Sequence, residues 1–187
     1  MRTGQFIVVV LIILGLAFGY GFINIRNRLV ALDESVNSAW AEIDNQLKRR
    51  SELIPNYVET VKGYAGHEKA VFEAIAASSH RLDTAHGPDE KMKAEKQVSS
   101  GVSVLLNLVV KYPELKANQS FMALQAELEG TQNRIAVATK RYNEAVKLFN
   151  REIRAFPNSM IAGFLNFAPR KYFQVREEEK RAPKIRM

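Results

Sequence analysis

Cysteine is absent from this chain, which excludes a disulfide framework, a zinc ribbon, a thiol nucleophile and an iron–sulfur centre. The absence leaves the redox compartment open. Histidine is scarce, with only His67, His80 and His86. His67-Glu68 opens no H-E-x-x-H pattern, because Val71 stands where the second histidine would be, and His80 and His86 are not spaced as a helical ligand pair. Surface or capping roles suit all three. Glycine-rich phosphate loops and a G-x-S-x-G elbow are also missing. With no acid, base and nucleophile constellation, the sequence predicts no catalytic residue, no metal and no cofactor, and hence no enzyme. Asp44, Glu52 and Glu59 lie beside Lys48, Arg49, Arg50 and Lys62 as solvated helix faces carry them.

A basic patch on the folded part is lacking too. The chain has 187 residues and a net charge of +7, which invites a nucleic-acid reading. Counted along the chain, Arg26 to Lys116 holds 13 basic and 13 acidic residues, and Ala117 to Pro169 holds 6 and 4. The last stretch, Arg170 to Met187, holds 7 basic residues against 3 acidic ones. A nucleic-acid binder needs its positive charge on one face of the domain. Here most of the excess sits in a tail, so no nucleic acid is expected.

What is present begins with Phe6 to Ile23, FIVVVLIILGLAFGYGFI, 18 residues without a charge. At ~1.5 Å per residue this run matches a bilayer's hydrocarbon core. The rival is a cleaved signal peptide with Ala17-Phe18-Gly19 as its site. The apolar run continues past that site through Tyr20, Gly21, Phe22 and Ile23, which favours a retained single-pass anchor. Gly15 and Gly19 form a G-x-x-x-G pair, a close-approach surface for a second transmembrane helix. Glycine is also common in such helices without that role. Basic residues flank the run almost equally, so the side of the soluble part stays open.

Downstream, Leu32, Val36, Trp40, Ile43, Leu47, Ile54, Val58, Val61 and Ala65 recur in steps of threes and fours, one face of a long helix. Pro55 removes a backbone donor and is expected to kink or divide it. A break at Gly63 to Gly66 precedes a second helix from His67 to Leu82, with Val71, Ala74, Ile75 and Leu82 inward and a stop at Gly87-Pro88. A third runs from Asp89 to Lys111. Its second half, Val102 to Val110, is apolar nearly all round and is expected to be the most buried piece. The fourth carries Phe121, Leu128, Ile135, Tyr142, Phe149 and Phe156 at heptad spacing, with Leu124, Thr131, Ala138 and Ala145 between them, and ends at Pro157. Either Arg49 or Arg50, in the apolar gap of the first helix, is expected in a partly buried ion pair. Asn37, Asn45 and Asn56 either set helix register or face water.

Four amphipathic helices with short connections predict an all-α fold: an N-terminal transmembrane helix followed by an antiparallel up-down-up-down four-helix bundle. The expected domains are an anchor at 1–25, a bundle at 26–157, and an apolar, aromatic and basic segment at 158–187.

Two stretches carry a family resemblance. AWAEIDNQLKRRSELIPNYVETVKGYAGHEKAVFEAIAASSHRL, residues 39–82, and YPELKANQSFMALQAELEGTQNRIAVATKRYNEAVKLFNREIRAFP, residues 112–157, resemble the two signatures of the LemA family. The chain departs from the pattern at Val110-Lys111 and at Gln132, each time without an acidic group that is usual there. The resemblance implies a bacterial membrane protein with an antiparallel helical bundle and no established enzymatic activity. One branch of the family is associated with magnetosome membranes, which implies a role in organising or shaping membranes.

If the anchor leads the first bundle helix away from the membrane, the fourth helix returns to it. Residues Phe164, Leu165, Phe167, Arg170, Lys171, Tyr172 and Phe173 then form a membrane-interface segment, reinforced by basic residues attracted to an anionic leaflet. The same residues could instead cap the bundle's open end or pack against a neighbouring subunit. The expected partners are the lipid bilayer, further copies of the chain as a homo-oligomer, and a membrane protein partner. The expected location is the bacterial cytoplasmic (inner) membrane. The predicted function is a self-associating protein that organises or shapes that membrane; the alternative is a tethered adaptor for an envelope protease or signalling partner.

Overall fold

The structure is a computed structural model and describes residues 3–174. All regular structure among these residues is helical. Helix α1 spans Thr3–Lys62, α2 Lys69–Thr84, α3 Gly87–Lys111, α4 Gln119–Glu152 and α5 Asn158–Phe164, with a 3-10 turn at Pro113–Ala117 before α4. The described residues form two compact units. The first contains residues 3–39 and 143–172, and the second contains 40–142 with 173 and 174.

The apolar run and the first amphipathic helix are one continuous helix, α1, with no break after Ile23. Pro55 does not divide it. A proline at 55 leaves the carbonyl of residue 51 without its helical donor. Here the Ser79 hydroxyl, from α2, donates to the Ser51 carbonyl at 3.1 Å. Both serines are buried, so the orphaned acceptor is satisfied where water does not reach it.

The second unit is built on the faces that periodicity marks. Ile43, Leu47, Ile54, Val58 and Val61 of α1 are buried with Phe72, Ile75 and Leu82 of α2. From α3 come Val98, Val102, Leu105 and Leu108, and from α4 Phe121, Leu128, Ile135 and Tyr142. In α2 the inward face is rotated from expectation: Phe72, Ser78 and Ser79 are buried, whereas Ala74 is exposed. In α3 the expectation that Val102 to Val110 is the most buried piece fails. Val104 is half exposed and Val110 is 83% exposed, because only one face of α3 meets neighbours.

Helix α2 packs against α3 at close range. A Cβ at Gly101 would lie 2.9 Å from Ile75 Cγ1, so the backbone approach there needs glycine. Gly87, with φ +74°, and Pro88 in the first turn open α3, rather than serving as the stop of α2. Helix α4 starts at an Asn118 cap, whose Oδ1 accepts the Phe121 N–H at 3.0 Å. Asn118 Nδ2 also donates to the Tyr64 hydroxyl at 2.9 Å.

Cross-helix pairs set the order within this unit. Glu42, Gln46 and Arg49 of α1 meet Arg141, Arg134 and Glu127 of α4 respectively, so the α4 numbers fall as α1 advances. Asp44 and Arg50 meet Lys91 and Glu95 of α3, and these numbers rise together. Ile75 faces Gly101 and Arg81 donates to Gln97, a falling pair between α2 and α3.

In the first unit Leu29 and Val36 of α1 are buried together with Val146, Phe149 and Ile153. Helix α4 closes at Glu152, one turn earlier than expected. Turns follow, with Arg154 N–H on the Arg151 carbonyl and Ala155 N–H on those of Arg151 and Glu152. Phe156 therefore leaves the heptad seam and is exposed.

Candidate functional site

The most distinctive surface is the apolar N-terminal part of α1. Its best window has a mean hydropathy of 2.8, and none of it is buried. A soluble core helix of that composition would be covered, so this helix is long and apolar enough to cross a membrane. Gly15 and Gly19 lie on it, and a Cβ added at either would meet no atom within 4 Å. Among the described residues nothing packs close enough to use their small size.

At the end of this run the first unit gathers three elements. Glu152, the last residue of α4, accepts Arg28 of α1 at 3.1 Å, Asn158 of α5 at 3.0 Å and its neighbour Arg151 at 3.4 Å. At the other end of α5 the Phe164 ring meets Phe22 edge to face, with centroids 6.3 Å apart at 72°. Phe22 is within the apolar run. Helix α5 thus starts beside Arg28 and ends beside Phe22.

The chain then reverses. Phe167 N–H bonds the Ala162 carbonyl at 2.9 Å and Asn166 N–H bonds that of Gly163 at 3.2 Å, while Asn166 takes φ +58°. This is a Schellman cap, with asparagine filling the left-handed position that glycine most often takes. Phe167 stacks edge to face on Phe149 at 5.8 Å. Arg170 reaches Asp33 of α1 at 2.8 Å, and its backbone exchanges two 2.8 Å hydrogen bonds with the Asn150 side chain.

The residues predicted for a membrane interface are therefore split. Phe164 is 77% exposed, with Met160 at 69% and Phe156 at 83% beside it in the chain. Leu165 and Phe167 are half-buried. Phe173 is buried, and in the second unit its ring lies 6.4 Å from Trp40. Arg170 is engaged with Asp33, Lys171 is exposed, and Tyr172 is half exposed. Five basic residues of the tail, Arg176, Lys180, Arg181, Lys184 and Arg186, lie outside the described residues.

The second unit holds a buried polar cluster. Arg50 Nη1 donates to Glu95 Oε1 and to Gln132 Oε1, each at 2.6 Å, and to Ser99 Oγ at 3.2 Å. The Arg50 and Glu95 side chains are 3% and 7% exposed. The sequence pattern placed one arginine of the 49–50 pair in an ion pair, but not at this depth, and it carried no signal for the partners on α3 and α4. Nearby, Arg49 and Glu127 pair across an open groove shared with Glu52, Leu53, Asn56 and Leu124.

Titration is perturbed at Tyr57 and at the Glu68–Lys111 pair. Burial pushes the Tyr57 phenol far above its usual range, and the Glu129 carboxylate adds to this. Its ring packs 5.0 Å from Phe121, and its hydroxyl has no hydrogen-bond partner among the described residues. Lys111, bonded to Glu68, holds that carboxyl below the usual range, and Glu68 raises the Lys111 ammonium in return. Among the described residues no group of three or more His, Asp or Glu side chains is placed to hold a metal ion. The histidines are exposed.

The family model for LemA matches residues 39–187. The chain is 22% identical to Protein LemA of Metamycoplasma hominis over 164 residues, covering 87% of this chain and 75% of that protein. It is 21% identical to the magnetosome proteins MamQ 2 and MamQ 1 of Paramagnetospirillum magneticum over 174 residues, covering 79% of this chain. It spans 64%, under two thirds, of each magnetosome protein.

Proposed function

The chain belongs to the LemA family, and from that premise we propose a non-enzymatic, single-pass protein of the bacterial inner membrane that self-associates and organises or shapes the bilayer. In its coarser features this is an all-helical, membrane-associated protein with one long apolar N-terminal helix. The order of the cross-helix pairs supports an up-down-up-down, antiparallel four-helix arrangement in the second unit, α1 and α3 running one way and α2 and α4 the other.

The observation that carries the reading is the uncovered apolar run, on which a Cβ added at Gly15 or Gly19 would meet no atom of the described residues within 4 Å. The heptad seam of α4 is a weaker basis for association. Phe121, Leu128, Ile135, Tyr142 and Phe149 are all buried within the chain, so the seam has no face left for a second copy. Self-association is therefore assigned to the membrane helix. The magnetosome relatives point the same way, towards membrane organisation, as an analogy of family rather than of site.

Electron microscopy of the full-length protein reconstituted into liposomes tests the proposal. Ordered particles, or vesicles whose shape changes with protein density, are expected. Small monodisperse particles on unchanged vesicles would overturn it. They would favour the second reading, an adaptor for an envelope protease or signalling partner, which the open groove at Arg49, Glu52, Asn56 and Glu127 supports.

A further inference from the structure

We infer that residues 156–166, centred on α5, form a re-entrant foot that inserts into an anionic leaflet beside the point where α1 leaves the bilayer. The inference rests on the membrane-spanning reading of Phe6–Ile23 and adds a lipid-binding element to it.

Three positions along α1 locate the foot. Asn158, which begins α5, is tied through Glu152 to Arg28. Phe164, which ends it, lies against Phe22. After the Asn166 reversal, Arg170 is held at Asp33. The chain thus descends from the level of Arg28 to that of Phe22 and climbs back to Asp33. Six residues of α1 separate Phe22 from Arg28, ~9 Å of rise, and the seven residues of α5 cover ~10 Å. The two lengths agree, so α5 descends along α1 towards the bilayer.

Phe22 is the penultimate residue of the apolar run. When that run occupies the hydrocarbon core, Phe164 is at the boundary between acyl chains and headgroups. The side chains exposed there suit that depth. Phe156, Met160 and Phe164 are uncovered, and apolar residues of this kind bury ~5–10 Å into an interface. Water would be a poor neighbour for three large side chains within nine residues.

Charge selects the lipid. Arg26 and Arg28 follow the span on α1, and Arg151 and Arg154 precede α5; all four are exposed. Glu152 neutralises part of this charge through Arg28 and Arg151. Arg26 and Arg154 remain without an ion pair among the described residues, placed to meet lipid phosphates. Phe167 and Phe173, though aromatic, are not part of the foot. The first packs on Phe149 and the second is buried.

The cysteine-free chain allows a direct test. Single cysteines replacing Phe164, Leu11 and Ala126 are labelled with an environment-sensitive fluorophore in the full-length protein. Each is reconstituted into phosphatidylcholine–phosphatidylglycerol vesicles carrying nitroxide lipids of shallow or deep label. The Phe164→Cys label is expected to shift to shorter wavelength and to lose intensity more to shallow than to deep nitroxides. The Leu11→Cys label should lose intensity most to deep ones, and the Ala126→Cys label to neither.

Water-like, unquenched emission at 164 with normal quenching at 11 would overturn the foot while leaving the span intact. Shifted but unquenched emission at 164 would mean that a second copy covers the segment, and would also overturn it. Loss of quenching at 11 would remove the span itself. In the Arg26→Gln, Arg154→Gln double variant the increase of quenching with phosphatidylglycerol content should disappear; its persistence would overturn the role assigned to these arginines.

Discussion

The hydroxyl of Ser79 on α2 occupies the place of a missing backbone donor, bonding the Ser51 carbonyl that Pro55 cannot reach. That single bond lets α1 run unbroken through a proline while fastening α2 to it. Ser79→Ala leaves a buried carbonyl unsatisfied and should destabilise the protein by ~1–3 kcal/mol. Pro55→Ala restores the helical donor, so the cost of Ser79→Ala should shrink in that background. A double-mutant cycle by denaturant unfolding, followed by circular dichroism in detergent, measures the coupling. Equal costs in both backgrounds would disprove the relationship.

Among the described residues Arg50 is the most buried charge, contacting α3 and α4 from α1. Arg50→Ala leaves Glu95 buried without its guanidinium partner and should cost ~3–5 kcal/mol. Replacing both residues by methionine should cost less than Arg50→Ala alone, since an apolar pair needs no compensation. Thermal unfolding of the three proteins distinguishes these outcomes. If the double variant were the least stable, the cluster would be contributing more than mutual neutralisation.

At Gly101 the available space decides the effect of a methyl group. Alanine is the better helix former by ~1 kcal/mol, but its Cβ would meet Ile75 at 2.9 Å. Overpacking of a filled core typically costs ~1–3 kcal/mol, so Gly101→Ala should be destabilising on balance. Ile75→Val in the same chain should recover part of the loss. An unfolding midpoint that rises with Gly101→Ala alone would show that the α2–α3 contact is looser than this distance implies.

The Glu68–Lys111 pair has a defined pH signature. Glu68 has a depressed folded value, so its contribution is present above its unfolded value and is lost as pH falls through the folded one. Lys111 is raised; its contribution is present below its unfolded value and is lost as pH rises through the folded one. A carboxyl titration by NMR should find Glu68 below 4.5, and Lys111→Gln should move it back up. No movement would mean that the pair does not form in solution.

Gly15→Leu tests the proposed association without disturbing the fold, because a Cβ there would meet no atom of the described residues within 4 Å. Analytical ultracentrifugation in mild detergent should show a shift towards monomer of at least about tenfold in the association constant, or ~1.4 kcal/mol. Helical content should be unchanged. An unaltered oligomer would remove the glycine pair from the interface.

Much of the helical plan was legible because it rests on local properties. Helix faces in α1 and α4 follow from apolar steps of threes and fours, and Ile43, Leu47, Ile54, Leu128 and Ile135 are buried as those steps require. Composition failed where it stood in for neighbours. The Val102–Val110 run is apolar nearly all round, yet Val110 is exposed because no element among the described residues covers that side. Aromatic content likewise could not sort Phe164 from Phe173, since one is exposed beside Phe22 and the other is enclosed.

The sequence by itself determined that this is a helical chain with an uncharged run long enough to cross a bilayer, and it carried the family signature. Rise per residue, side-chain periodicity and lack of charge are properties of a segment taken alone. Tertiary structure decided that Pro55 is tolerated, that Arg50 rather than Arg49 is buried, and that α5 ends beside Phe22. Each of these depends on a partner far away in the chain: Ser79 for Ser51, Glu95 for Arg50, Phe164 for Phe22. An orphaned carbonyl, a buried charge or an exposed ring acquires its energetic meaning only from the element that folding brings beside it.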